Sequence, residues 1–160
     1  MNVRDAMRTG TARCTSGINL GTAVEILWNS NSGILPIVDD NQRVISVITE
    51  RDICIALGTR NCLAGDITVG EVATHRAICC SPDDDVRTAL AKMVQANVRR
   101  LPVTNADGKL EGIIAVDDMV APILLKNSGR SNQTTSQDTL SRLLHNTDSS
   151  STHQSSRLNT

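Results

Sequence analysis

The chain has 160 residues, 39% hydrophobic and 21% charged, which is material for one compact domain or two very small ones sharing a core. Its 16 Lys and Arg face 17 Asp and Glu, a balance that argues against bulk electrostatic binding of nucleic acid or an anionic membrane. One Trp, with no Phe or Tyr, excludes base stacking on aromatic platforms as the main mechanism.

From the N-terminus, Met1 to Arg8 lacks the apolar stretch of a signal peptide. No run anywhere reaches the roughly 18 apolar residues of a membrane-spanning helix. Leu20, Ala23, Val24, Leu27 and Trp28 then follow the spacing of an amphipathic helix, and Trp28 on that stripe is read as a core or dimer contact. Two short apolar runs, Ile34 to Val38 and Val44 to Ile48, flank the polar turn Asp39 to Arg43 and predict a hairpin. A second helix is predicted from Glu50 to Leu57. Cys79 and Cys80 read as part of a strand, with their side chains on opposite faces.

The pattern then recurs. Val86, Ala89, Leu90, Met93 and Val94 repeat the helical spacing behind Asp83, Asp84 and Asp85, which suit an N-cap and the positive end of the helix dipole. Leu101 to Val103 and Leu110 to Val116 flank Asn105 to Lys109, a turn in which Gly108 accepts positive φ. A last helix is predicted from Asp117 to Leu125, kinked or shortened by Pro122. Residues 127–160, dominated by Ser, Thr, Asn and Gln, are expected to form a disordered tail.

A shift of 66 positions lays the first copy on the second without a gap. Val3 falls on Val69, Cys14 on Cys80, Asn31 on Asn97, Leu35 and Pro36 on Leu101 and Pro102, Ile48 on Ile114, and Asp52 on Asp118. Neither copy, at about 60 residues, has a comfortable core alone, so the two should pack together.

Few other motifs carry chemistry. His75, His145 and His153 are isolated, and Cys14, Cys54, Cys62, Cys79 and Cys80 form no pair with zinc spacing. No base stands beside a Ser or Cys, and neither GxGxxG nor a P-loop occurs. The expectation is a non-enzymatic, cytoplasmic protein with reduced thiols, no resident cofactor and no metal.

Leu35 to Asp39 followed by Val47 to Ile53, and Val98 to Val103 followed by Gly108 to Ile114 and Asp117 to Met119, resemble the cystathionine-β-synthase (CBS) domain. Two in tandem resemble a CBS pair, or Bateman module, over roughly residues 1–126, with repeats at 1–60 and 61–126. The resemblance implies an α/β (α+β) fold of two pseudo-symmetric repeats, each roughly β-α-β-β-α, packed as one module. It further implies two clefts between the repeats that often bind adenosine compounds, here of the AMP, ADP or ATP class. Such modules are commonly regulatory, as in energy sensing, act on a partner protein and commonly form homodimers. A ligand-free interaction or dimerisation module is the alternative.

By that resemblance Asp52 would hold ribose hydroxyls with Thr49 beside it, although the same pair also makes a helix N-cap. Arg99 and Arg100, at the position where nucleotide-binding relatives such as the γ subunits of AMP-activated protein kinase reach phosphates, would complete that cleft. Adenine would lie against the segment around Met7 and Ala12. The second cleft, with Asp118 but Ala115 in place of the hydroxyl residue, and with Gly33 and Ile34 in place of the arginines, reads as half-furnished. Ser46 stands where the family's usual glycine would be.

Overall fold

The computed structural model describes residues 1–119. In chain order its elements are β1 (Arg8–Thr9), α1 (Leu20–Ser30), β2 (Ile34–Val38), β3 (Val44–Thr49), α2 (Glu50–Arg60), α3 (Val69–Val72), α4 (Val86–Ala96), β4 (Arg100–Thr104) and β5 (Leu110–Ala115). Residues 116–119 begin a further helix. Most of the helix expected from Asp117 to Leu125, its Pro122, and the tail at 127–160 lie outside the described residues.

Caps explain several correspondences between the repeats. Asn19 accepts a hydrogen bond from the Thr22 N–H at the start of α1, and Asp85 accepts one from the Arg87 N–H at the start of α4. The same helices end on Asn31 (φ 47°) and Asn97 (φ 53°), left-handed residues that asparagine tolerates better than most. In the hairpin turns Gly108 (φ 80°) matches Gln42 (φ 63°), so the first copy carries a side chain where the second uses glycine.

Strands β2 and β3 pair antiparallel, with Ile34 opposite Thr49, and β4 and β5 repeat this with Arg100 opposite Ala115. The strand expected to open each repeat is reduced to a single parallel bridge, Cys14 to Ile37 and Cys80 to Val103. Each bridge carries two backbone hydrogen bonds, and the chain then turns away at once to cap the following helix. Cys80 is buried and Cys79 is not, as alternation across an extended segment requires.

Two apolar cores result, and they exchange segments. One gathers Leu20, Ala23, Leu27, Leu35, Ile37, Ile48 and Ile53 with Ile67 and Val69 from beyond α2. The other gathers Met93, Leu101, Val103, Ile114 and Met119 with Val3 from the N-terminus. β1 likewise joins the second repeat, as the third strand in the order β1-β5-β4. The two hairpin turns meet on the pseudo-twofold axis, where the Val44 N–H donates to the Gly108 carbonyl at 2.9 Å. Only part of each predicted helical stripe is buried. Val24 and Trp28 on α1, and their counterparts Leu90 and Val94 on α4, face outward, because each helix packs on one sheet along a narrow strip.

Candidate ligand cleft

A cleft of about 220 Å³ opens where the N-terminal segment crosses the second sheet. Its walls are Arg8 to Ala12, the C-terminal end of α1 at Ser30 to Ser32, and Arg100, Ile113, Ala115 and Asp118. Both repeats therefore contribute. Asp118, in the helical turn after β5, is 13% exposed and is the one carboxylate among the described residues lining the cleft. Its Oδ2 accepts the Ala115 N–H at 3.1 Å, while Oδ1 accepts Arg8 Nε at 3.0 Å and Arg8 Nη2 at 2.8 Å. The fork-shaped guanidinium thus takes one carboxylate oxygen with two donors. Arg100 supplies the second cation. Its guanidinium packs on the backbone of Gly33, where a Cβ would meet Nη1 at 3.3 Å.

One glycine makes this geometry possible. Thr9 pairs with Gly112 and Arg8 with Ile113, and a Cβ on Gly112 would overlap the Arg8 carbonyl oxygen. The position 66 residues earlier is Ser46, which is buried and uses its hydroxyl to hold the segment after α3. That hydroxyl donates to the carbonyls of Ala73 (3.2 Å) and His75. Here the bridge joins Ser46 to Arg76, one residue out of step with the Gly112–Thr9 pair, since Thr9 corresponds to His75. The two sides of the pseudo-twofold are therefore built differently.

Of the residues singled out from sequence, the structure brings together Ala12, Arg100 and Asp118. Met7 does not line this cleft; its side chain packs against the second core. Arg99 points to solvent, 3.9 Å from an equally exposed Asp117. Thr49 and Asp52 form the capping box of α2, with Asp52 Oδ2 accepting the Thr49 N–H (2.9 Å) and hydroxyl (2.7 Å). The cleft that holds Arg100 is lined by neither Asp52 nor Arg99. Arg100 opens β4 directly opposite Ala115, three residues before Asp118, so strand pairing places it in the Asp118 cleft. The sequence reading missed Arg8, Thr9, Gly10, Thr11 and the Ser30–Ser32 turn. No spacing or motif in the sequence pointed to them; Gly10 (φ 66°) and Asn31 adopt left-handed backbone there.

Elsewhere the titrating groups are structural. Burial pushes the Cys14 and Cys80 thiols up to about 11, and Cys79 is raised for the same reason. The ammonium of Lys92, 2.9 Å from Asp84, and the Ser81 N–H hold the Asp84 carboxyl below its ordinary value. Among the described residues, no three His, Cys, Asp or Glu side chains converge as a metal site requires. No helix there is long and apolar enough to cross a membrane.

Comparison with known proteins places this architecture. The profile of the CBS domain matches residues 3–59 and again 69–124. An uncharacterized protein of Methanocaldococcus jannaschii is 30% identical over 118 residues, which cover 74% of this chain and 41% of that protein. An uncharacterized 17.7 kDa protein of Acidianus ambivalens is 31% identical over 107 residues, covering 67% of this chain and 63% of that one. The chain thus spans about half the length of the curated relatives it matches. Among solved structures, the CBS domain pair of protein MJ0100, in complex with 5′-methylthioadenosine and S-adenosyl-L-methionine, superposes with a TM-score of 0.72 at 27% identity. The match covers 79% of this chain and 98% of that one.

Proposed function

Since the chain belongs to the CBS domain family, with two tandem copies of the domain, we propose that it is a regulatory module binding an adenosine compound in the Asp118 cleft. The observation that carries this reading is the convergence of Asp118, Arg8 and Arg100 in one cleft to which both repeats contribute. A carboxylate suits ribose hydroxyls, and guanidinium forks suit phosphate oxygens, which favours the AMP, ADP or ATP class. The similar MJ0100 pair was solved with 5′-methylthioadenosine and S-adenosyl-L-methionine, which supports an adenosine compound as the ligand. Adenine would lie along the Thr9–Ala12 backbone. A ligand touching Asp118 and Ser30–Ser32 links the two repeats, so binding favours one mutual arrangement, which a partner protein reads. The module is regulatory rather than catalytic, and its five free cysteines suit a cytoplasmic setting.

Thermal melts with AMP, ADP, ATP, S-adenosylmethionine and NADH test the reading. Ligand at about 100 times its Kd adds roughly 2.7 kcal/mol to stability. Asp118→Asn should abolish the rise in Tm, whereas Asp52→Asn should keep it. No rise with any of the five compounds refutes the proposal.

A second reading, a homodimerisation module, rests on a different observation. Trp28 is 84% exposed and Val94 74%, at pseudo-equivalent places on α1 and α4, with Val24 and Leu90 beside them. Two such faces related by the internal twofold suit a second copy of the chain, which would bury both at once. Sedimentation of Trp28→Lys against the parent measures it, and a parent that is monomeric at micromolar concentration removes it. The two readings are compatible.

A further inference from the structure

A sugar hydroxyl would need an Asp118 oxygen; Oδ2 accepts the Ala115 N–H, and Arg8 already holds Oδ1 with two donors. Arg8 sits on a strand of two residues and is 64% exposed, so its side chain can leave Asp118 without disturbing a core. Arg100 is fixed differently, by packing against Gly33. A ligand that takes Asp118 therefore releases one guanidinium beside another, with no second carboxylate among the described lining residues to receive either.

Resting on the adenosine reading above, we propose that Arg8 sets the charge preference of the cleft, by competing with the ligand for Asp118 and rewarding only a ligand that brings its own anion. A nucleotide supplies both halves of the exchange: hydroxyls for Asp118, and phosphate oxygens for the freed Arg8 and for Arg100. A neutral nucleoside breaks the Arg8–Asp118 pair and returns nothing to Arg8. S-adenosylmethionine brings a carboxylate, but its sulfonium and ammonium leave it net positive beside two guanidinium groups. A nucleoside phosphate therefore binds ahead of both the neutral nucleoside and the sulfonium compound.

Titration calorimetry of the full chain with AMP, adenosine and S-adenosylmethionine tests this, alongside Arg8→Met, Arg8→Lys and Arg8→Gln. The parent should bind AMP at least about tenfold more tightly than adenosine, a gap of one charge-assisted contact. Arg8→Met should tighten adenosine about threefold, by removing the competitor, and weaken AMP by about tenfold. Arg8→Lys, which keeps the charge but not the fork, should retain the preference for AMP, and Arg8→Gln, which removes the charge but keeps a polar side chain, should lose it and carries the test if Arg8→Met melts early. An AMP-to-adenosine ratio near one in the parent, or a ratio unchanged in Arg8→Met, overturns the role of Arg8 while leaving the adenosine cleft standing. S-adenosylmethionine binding as tightly as AMP does the same. Absence of binding by all three compounds overturns the adenosine reading and this proposal together.

Discussion

Replacing Gly112 with alanine tests the crossing of the N-terminal segment over the second sheet. The new methyl would overlap the Arg8 carbonyl oxygen and stand 3.3 Å from Met7 Sδ. A flexible side chain like Met7 can give way, but a backbone carbonyl moves only with its strand. β1 meets β5 at two residue pairs, so lifting it forfeits about two backbone hydrogen bonds at roughly 1 kcal/mol each. The Arg8–Asp118 pair goes with them, worth about 0.5 kcal/mol given how exposed Arg8 is. Alanine returns roughly 0.5 kcal/mol by restricting the unfolded chain. The net loss is about 2 kcal/mol, or near 8 °C in Tm for a unit of this size. Urea unfolding should show a lower midpoint with unchanged slope, and AMP affinity should fall because Arg8 to Ala12 have been displaced. Ser46→Gly is the matched control. It removes the hydroxyl that holds Ala73 and His75 and should destabilise without affecting the Asp118 cleft. A Gly112→Ala protein within about 0.5 kcal/mol of the parent, with unchanged AMP binding, would refute the steric argument.

The other expectations concern the turns, the thiols and acid. Gln42→Gly should stabilise by about 0.5 kcal/mol in urea melts, because glycine carries φ 63° without the side-chain penalty; a loss would show that the Arg13–Gln42 hydrogen bond outweighs it. Thiol labelling at pH 8 should modify Cys54 and Cys62 quickly, and Cys14 and Cys80 only as fast as the protein unfolds; mass spectrometry of labelled peptides reads this directly. The raised thiols also predict a stability loss at high pH. Folded Cys14 and Cys80 keep protons that the unfolded chain releases, so their contribution is whole below about pH 8.5 and declines as pH climbs toward about 11. At the other end, the depressed Asp84 carboxyl stabilises the fold above its ordinary pKa, and that support fades as pH falls below about 4. Asp84→Asn should flatten the acid limb of a Tm-against-pH curve, and an unchanged limb would place the acid sensitivity elsewhere.

Features whose physics is local were legible along the chain. Helix spacing placed α1 and α4, and the acidic run at Asp83 to Asp85 marked the start of α4, while the left-handed role of Asn31 and Asn97 at the helix ends emerged only with the backbone. The hairpins, the repeat of 66 positions and the CBS family followed from runs of adjacent residues, because turn geometry and strand alternation depend on nearest neighbours. The cleft depends on contacts between distant residues. Arg8 meets Asp118 across 110 positions, and no periodicity reports that pairing. Nor could spacing reveal that Ser46 and Gly112, equivalent in the repeat, hold their facing segments in different registers. The same limit applies to Arg100, which was expected beside Asp52 and lines the cleft of Asp118. Sequence symmetry makes the two copies interchangeable, whereas antiparallel pairing of β4 with β5 assigns Arg100 to the Asp118 side. Local energies chose the elements. Where a carboxylate and two arginines converge was decided by the close approach of β1 to Gly112, whereas Ser46 holds its own facing segment one residue out of step.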